Sequence, residues 1–417
     1  MNEPQQLQRR LGTFDATAIG LGSMLGAGVF VVFAPAAALA GNLLVLAVVV
    51  AGVVAYCNAV ASAALAAKYP TSGGTYVYGR KQLGEWPGFL AGWGFVTGKT
   101  ASCAAMALTF GNYVARDYAV PVAVAAVVVL TGVNLLGITR TALLTRVLLC
   151  LVLATLVFVA VAAVLGPHPA AATAGAPPAG VAGVLPAAGL MFFAFAGYAR
   201  IATLGEEVRN PARAIPRAIL AALAAAFAIY LVLALLLLAH LGDRLAATRT
   251  PLLDAVLDSR LGAAAPLVQA GAAAACLGAL LALITGVGRT TLAMARERDL
   301  PGPLAKVGGT HTVPFVAEIA VAAVVIVLLL TTDVMTVVGF SSFGVLVYYA
   351  IANASAYTLA GHPGYAPRWL NAVGFLGCVV LAFTLPGASV LTMAAVLAAG
   401  VAGRWVVLRF RQHQPRP

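Results

Sequence analysis

About twelve stretches of some twenty apolar residues succeed one another along this chain, the length a helix needs to cross the hydrocarbon layer of a bilayer. A soluble fold could not solvate such a sequence. Hydrophobic residues make up 62% of the 417 positions and charged residues 9%, against about 25% charged in ordinary globular chains. The chain therefore reads as an all-α polytopic membrane protein. The number of spans, rather than length divided by domain size, sets its architecture.

A net charge of +12 would point to nucleic acid in a soluble protein. Here its placement matters more. With the N-terminus inside, nineteen Lys and Arg fall on one side and four (Arg116, Arg244, Arg249, Arg260) on the other. This bias predicts a multi-pass protein of the cytoplasmic membrane with both termini cytoplasmic. The five cysteines lie in apolar runs without metal-ligand spacing and read as small core residues. The polar N-terminus leads directly into a long span, unlike a cleaved signal peptide. No nucleic acid, cofactor, metal or obligate protein partner is implied; the lipid bilayer is.

The first span, Phe14–Ala40, contains Gly22-Ser23-Met24-Leu25-Gly26-Ala27-Gly28 near its middle. Each glycine costs a helix about 1 kcal/mol relative to alanine. Lipid cannot satisfy loosened backbone groups, so a break at this depth must face protein or a polar cavity. Its freed N–H groups suit a carboxylate, and the carbonyls ending the first half-helix suit an ammonium group or Na⁺. Gly22 and Gly26 also form a GxxxG pair, which serves close helix packing equally well. A second interruption, at Gly197, falls in the sixth span, Val184–Leu204. Breaks in spans one and six are what two five-helix inverted repeats predict.

Three blocks carry a family resemblance: Ala18-Ile19-Gly20-Leu21-Gly22-Ser23-Met24-Leu25-Gly26-Ala27-Gly28-Val29-Phe30; Tyr69-Pro70-Thr71-Ser72-Gly73-Gly74-Thr75-Tyr76 with Gly92-Trp93; and Phe192 to Tyr198 running into Gly205-Glu206-Glu207-Val208-Arg209-Asn210-Pro211. The chain resembles the amino acid–polyamine–organocation (APC) superfamily of secondary transporters, in particular bacterial permeases similar to cationic amino acid transporters. That resemblance implies a LeuT-type 5+5 inverted repeat plus two C-terminal helices, and alternating access. It divides the chain into a tail (1–13), a first repeat of helices 1–5 (14–166), an external loop (167–183), a second repeat of helices 6–10 (184–359), helices 11 and 12 (360–408) and a C-terminal tail (409–417). It also implies an amino acid substrate held by the backbone. The N–H groups of Gly26, Ala27 and Gly28 would take its carboxylate, and carbonyls near Met24, Phe193 and Ala196 its amino group. Ser23, Leu25, Ala194, Gly197 and Tyr198 would line the site, with Phe195 an aromatic gate.

Lys99 and Arg200 alone among charged residues sit deep in spans, where charge is costly and marks a functional candidate. Lys99 is the coupling candidate for protons, because a desolvated amine can titrate and a guanidinium does not. It could equally hydrogen-bond loosened carbonyls or contact substrate. The lysine that some proton-coupled relatives place on the fifth helix is absent here, the region around Val152 and Leu153 being apolar. Arg200 reads as a partner for carbonyls or Asp15. Glu206, Glu207 and Arg209 read as an ion-pair network that locks the inner gate. An enzyme would require a convergent set of acids, bases or nucleophiles at one depth, and none is present. The expected function is proton-coupled uptake of a neutral amino acid; an exchanger or facilitator fits the same sequence.

Overall fold

In a computed structural model of the chain, which describes residues 11–26, 28–70, 73–136, 142–166, 180–204, 207–308 and 313–412, the apolar runs are helices. Among these residues there is no β-sheet, and nine helical stretches are long and apolar enough to cross a membrane. The protein is an all-α polytopic membrane protein.

The first run is not one helix. It divides into α1 (Thr13–Leu25), α2 (Gly28–Val31) and α3 (Phe33–Ala40). Val32 joins the last two without loss of hydrogen bonding, since Val32 N–H donates to Gly28 O and Ala36 N–H to Val32 O. Then come α4 (Leu44–Lys68), a short amphipathic α5 (Gly74–Leu83), α6 (Glu85–Val114), α7 (Ala119–Leu135) and α8 (Ala142–Leu165). The sixth run gives α9 (Val184–Phe195), a 3₁₀ turn at Ala196–Tyr198 and α10 (Ala199–Ala202). Next are α11 (Pro211–Leu241), α12 (Pro251–Leu257), α13 (Ala265–Arg296), α14 (Phe315–Thr331), α15 (Val334–Tyr357), α16 (Arg368–Thr384) and α17 (Gly387–Gln412). Helix α6, 30 residues long, is not among the nine apolar stretches, its hydropathy being lowered by glycines, threonines and Lys99. Helices α14 and α16 are apolar but only 17 residues each.

Two elements depart from expectation. The seventh apolar run begins at Ala218 by composition, yet α11 starts at Pro211. Proline at the first helical position loses no hydrogen bond, and Asn210 enters it in a left-handed conformation (φ 50°). Not every cysteine is core: Cys150 is exposed on α8, while Cys57, Cys103, Cys276 and Cys378 are buried and free.

Small residues set the packing. Gly94 and Gly98 of α6 lie against Gly344 and the Ser341 carbonyl of α15, and the Ser102 and Ser341 hydroxyls bond at 2.6 Å. Such contacts let membrane helices approach backbone to backbone. At the basic end, a buried carboxylate collects three donors. Asp299, just after α13, accepts from Tyr76 Oη (2.8 Å), Arg80 (2.8 Å) and Arg404 Nε (2.9 Å). Burial, and then the Asp299 charge, push the Tyr76 hydroxyl above the ordinary phenol range, which keeps it a donor. Arg404 also bonds Glu85 (3.1 Å) and lies 4.5 Å over the Trp86 ring. One acid thus ties α5, α6, α13 and the otherwise peripheral α17. Asp299→Ala removes the buried partner of two arginines, leaving Arg404 only Glu85, and Arg80 only Glu85 and Glu297, whose carboxylates are exposed, and should cost about 2–4 kcal/mol. Denaturant titration in mixed micelles measures this, and a loss below about 1 kcal/mol would mean the cluster is not a structural tie.

Candidate functional site

The first break is real and narrow. Gly26 ends α1 in a non-helical conformation (φ −45°, ψ −120°), and helix resumes at Gly28. Ala27 lies outside the described residues. The second break is milder than a mid-span glycine suggests, because Ala196–Tyr198 stays wound as a 3₁₀ turn.

The two breaks are pressed together. A Cβ on Gly28 would stand 2.8 Å from the Ala194 Cα, and one on Gly197 would stand 2.5 Å from the Met24 nitrogen and the Ser23 carbonyl carbon. Tyr230 of α11 binds both: its hydroxyl lies 2.7 Å from the Met24 carbonyl and 3.1 Å from that of Ala194. The Tyr349 hydroxyl reaches the Ala196 carbonyl at 3.4 Å, and that of Tyr113 the Phe30 carbonyl at 3.3 Å. A side-chain hydroxyl here does what lipid cannot.

Below this junction, towards the basic end, opens a cavity of about 160 Å³ lined by Gly22, Ser23, Gly26, Val152, Arg200 and Glu207, among others. Its far wall is the α13 stripe Ala275, Ala279 and Ala282. That volume is below the roughly 300–1,000 Å³ of drug-sized pockets and suits a small metabolite. At its mouth the chain ahead of α1 pairs with the chain after α10. Leu11 N–H donates to Glu207 O (3.0 Å), and Arg209 N–H to Leu11 O (2.9 Å).

The residues singled out from sequence divide accordingly. Gly22, Ser23 and Gly26 meet at the cavity. Gly22 has open space where a side chain would point, so the GxxxG packing role does not apply to it, whereas Gly26 does pack on Ala279. Met24, Leu25, Phe193, Ala194, Ala196 and Tyr198 are buried behind it. The carbonyls of Met24 and Ala196, expected to face an amino group, already accept tyrosine hydroxyls. Phe195, expected as a gate, is fully buried between Phe227 and Tyr230, with ring centroids at 6.4 and 5.0 Å, and has no face on the cavity. Tyr198 packs against Tyr349, with tilted rings and centroids at 5.1 Å. Asp15 pairs with Arg146 and not with Arg200, which stands on the cavity wall. Glu206 lies outside the described residues. Glu207 and Arg209 join the gate region through their backbones in the Leu11 bridge.

Lys99 is 8% exposed and makes no hydrogen bond or ion pair among the described residues. It shares a face of α6 with Gly92, which packs on Met294 of α13. Tyr230 and Leu11 escaped the sequence reading. The only trace of Tyr230 was a lone hydroxyl in an otherwise apolar span.

Residues 11–402 match the amino acid permease family. The chain belongs to that family. This permease is 58% identical over 416 residues to an uncharacterised transporter of Mycobacterium tuberculosis, covering 98% of this chain and 94% of the relative. It is 28% identical to a branched-chain amino acid permease of Bacillus subtilis (75% and 72% covered). Identity is also 28% to a chloroplastic cationic amino acid transporter of Arabidopsis thaliana (88% and 68% covered). The permease is a transporter rather than an enzyme, and membership of the APC superfamily matches the motif reading.

Glycine chemistry at the junction is testable. Gly197→Ala drives a methyl into the Ser23–Met24 backbone and should cost about 1–3 kcal/mol. Gly22→Ala lies inside α1 and meets nothing within 4 Å, so it should leave the melting temperature of the detergent-purified permease unchanged or slightly raised. Equal melting of the two variants would contradict the clasp.

Proposed function

We propose that this permease takes up a small neutral amino acid across the cytoplasmic membrane by alternating access, driven by protons. The carrying observation is that the cavity ends on the break at Gly26, with the amino end of the α2–α3 rod beyond it. Unpaired N–H groups and the helix dipole make that end a carboxylate receptor. The cavity wall supplies mainly small and aliphatic residues with one arginine and one glutamate, Arg200 and Glu207, whose charges offset each other, which leaves room for a short apolar side chain and gives no net charge to select a basic or acidic one.

The reading places twelve spans in a LeuT-type 5+5 inverted repeat with two additional C-terminal helices. The nine apolar stretches, the two 17-residue helices and α6 together supply that number. Both termini would be cytoplasmic, the nineteen-to-four charge bias setting the orientation. In this frame the cavity is the inward vestibule, and the Leu11–Val208 bridge is the latch that must part to empty it. Phe195 and Tyr230 then act together, holding the two breaks in register while α1 and α10 move.

Lys99 is the proposed internal proton carrier. A lysine without a counter-ion in a helix interface has only desolvated alternatives to losing its proton.

Proteoliposome uptake tests the reading. An imposed inward proton gradient should drive accumulation of a neutral amino acid. Lys99→Ala should abolish that accumulation while substrate-induced thermal stabilisation persists, and unchanged accumulation would reject the coupling role. Gly26→Val fills the carboxylate site and should remove the stabilisation altogether. Normal affinity in that variant would contradict the site, and movement of no amino acid by the native permease would sink the function.

A further inference from the structure

Glu318 is the sole ionisable residue of α14 and lies in its first turn. It is 1% exposed, and its Oε2 has no hydrogen-bond partner among the described residues. It packs on α13 at Gly288, where a Cβ would come within 2.8 Å of the Glu318 Cγ. One turn further along the same face of α13, the buried Thr291 hydroxyl also lacks a partner. A carboxyl closed off from water in this way must either hold a proton or recruit a cation.

The elements packed against α14 are α6, α7, α13 and the 3₁₀ turn Gly302–Ala305. Helix α7 and that turn carry no ionisable residue. On α6, Glu85 is bound to Arg404; Lys99, Cys103 and Tyr113 lie about 20 Å or more from its start at 1.5 Å per residue, while Glu318 lies within about 5 Å of the start of α14. On α13, Cys276 is at the far end, Arg296 is at the last turn, and Arg289 follows Gly288 directly. His311 is outside the described residues.

Arg289 is exposed and continues the Ala275, Ala279, Ala282 stripe by one heptad, which puts it at the mouth of the cavity. Its charge acts on Arg200 in the cavity wall and on Glu318 behind α13. It therefore stands between the vestibule and the buried acid.

We propose that Glu318 is a proton-binding site at the cytoplasmic end of the permease, read out by Arg289. With its carboxyl protonated, Glu318 leaves Arg289 at the vestibule mouth, beside Arg200. With the proton released to water at that mouth, the carboxylate draws Arg289 towards α14 and clears the exit. Only the proton changes hands. The inference rests on the transport reading above and adds a second site to the mid-membrane Lys99.

Two measurements test it. The first is an infrared difference spectrum of the purified permease between about pH 5.5 and 8.5. The native protein should show a carboxyl C=O band that is missing in Glu318→Gln. The second is amino acid counterflow in proteoliposomes. The native ratio of exchange rates between about pH 6 and 8 should be threefold or more, and fall to about one in both Glu318→Gln and Arg289→Gln. Arg289→Gln should keep the infrared band. Persistence of the band in Glu318→Gln, or a counterflow profile unchanged by that substitution, overturns the proposal. If the native protein moves no amino acid, the function reading fails and the infrared band alone decides Glu318.

Discussion

A helix that stops inside a membrane leaves backbone groups that lipid cannot bond, and the hydroxyl of Tyr230 is this fold's answer. It bonds the Met24 carbonyl at the end of α1 and the Ala194 carbonyl near the end of α9. Its single proton is shared between the two, and without the hydroxyl both carbonyls at a buried junction would lose that donor, at a cost of about 1–3 kcal/mol in all. With it, the two broken helices become one object. Gly28 on Ala194 and Gly197 on Ser23–Met24 complete the clasp, because each glycine allows backbone where a side chain would stand. The cavity exists because this junction closes its roof.

The clasp explains a division of labour among the helices. Those around it, α1, α4, α9 and α11, are joined by apolar contacts and tyrosine hydroxyls. Dispersion and hydroxyl contacts of that kind can be remade after a small sliding motion. The other group, α5, α6, α13 and α17, is tied by the Asp299 cluster, whose two arginines and one tyrosine converge on one carboxylate. Breaking it would leave buried charge unpaired. Were one set of helices to rock against another, as the proposed alternating access requires, the structure would gain from having one set held by interactions too costly to break. The α13 wall of the cavity belongs to this held set.

The sequence carried the span pattern, the membrane class and the break at Gly26 plainly, because each is a local consequence of composition or of glycine in a helix. The Gly197 break was legible in position but not in kind. A glycine marks where a backbone is approached, and whether the helix unwinds or merely tightens into a 3₁₀ turn depends on what approaches it, here the Ser23–Met24 backbone. Phe195 shows the same limit. Its place on α9 is a matter of counting, but its direction is set by Phe227 and Tyr230 on a helix more than thirty residues later. Asp299, Leu11 and Tyr230 carry no motif at all. Their importance comes from partners distant in sequence: Arg404, Val208 and Met24.

The distribution of charge then constrains how the site can work. Where the cavity meets Gly26 it is lined by glycine, serine and alanine, so in the proposed reading substrate recognition there would rest on backbone N–H groups and on the dipole of the α2–α3 rod. Backbone recognition reads the amino acid moiety and leaves the side chain to be sorted by volume. Lys99 and Glu318, which have no ion-pair partner among the described residues, stand outside this pocket and on helices that face α13. Substrate and proton would therefore be sensed by different walls of one vestibule, with α13 as the shared partition: Ala279 packs on Gly26 at one end, and Gly288 packs on Glu318 at the other. A movement of α13 by a fraction of an ångström is felt at both contacts, since a Cβ at Gly26 or Gly288 would lie only 2.8 Å from its neighbour. On the proposed reading, coupling needs no direct contact between the amino acid and the proton. It needs only that the helix between them has no slack on either face.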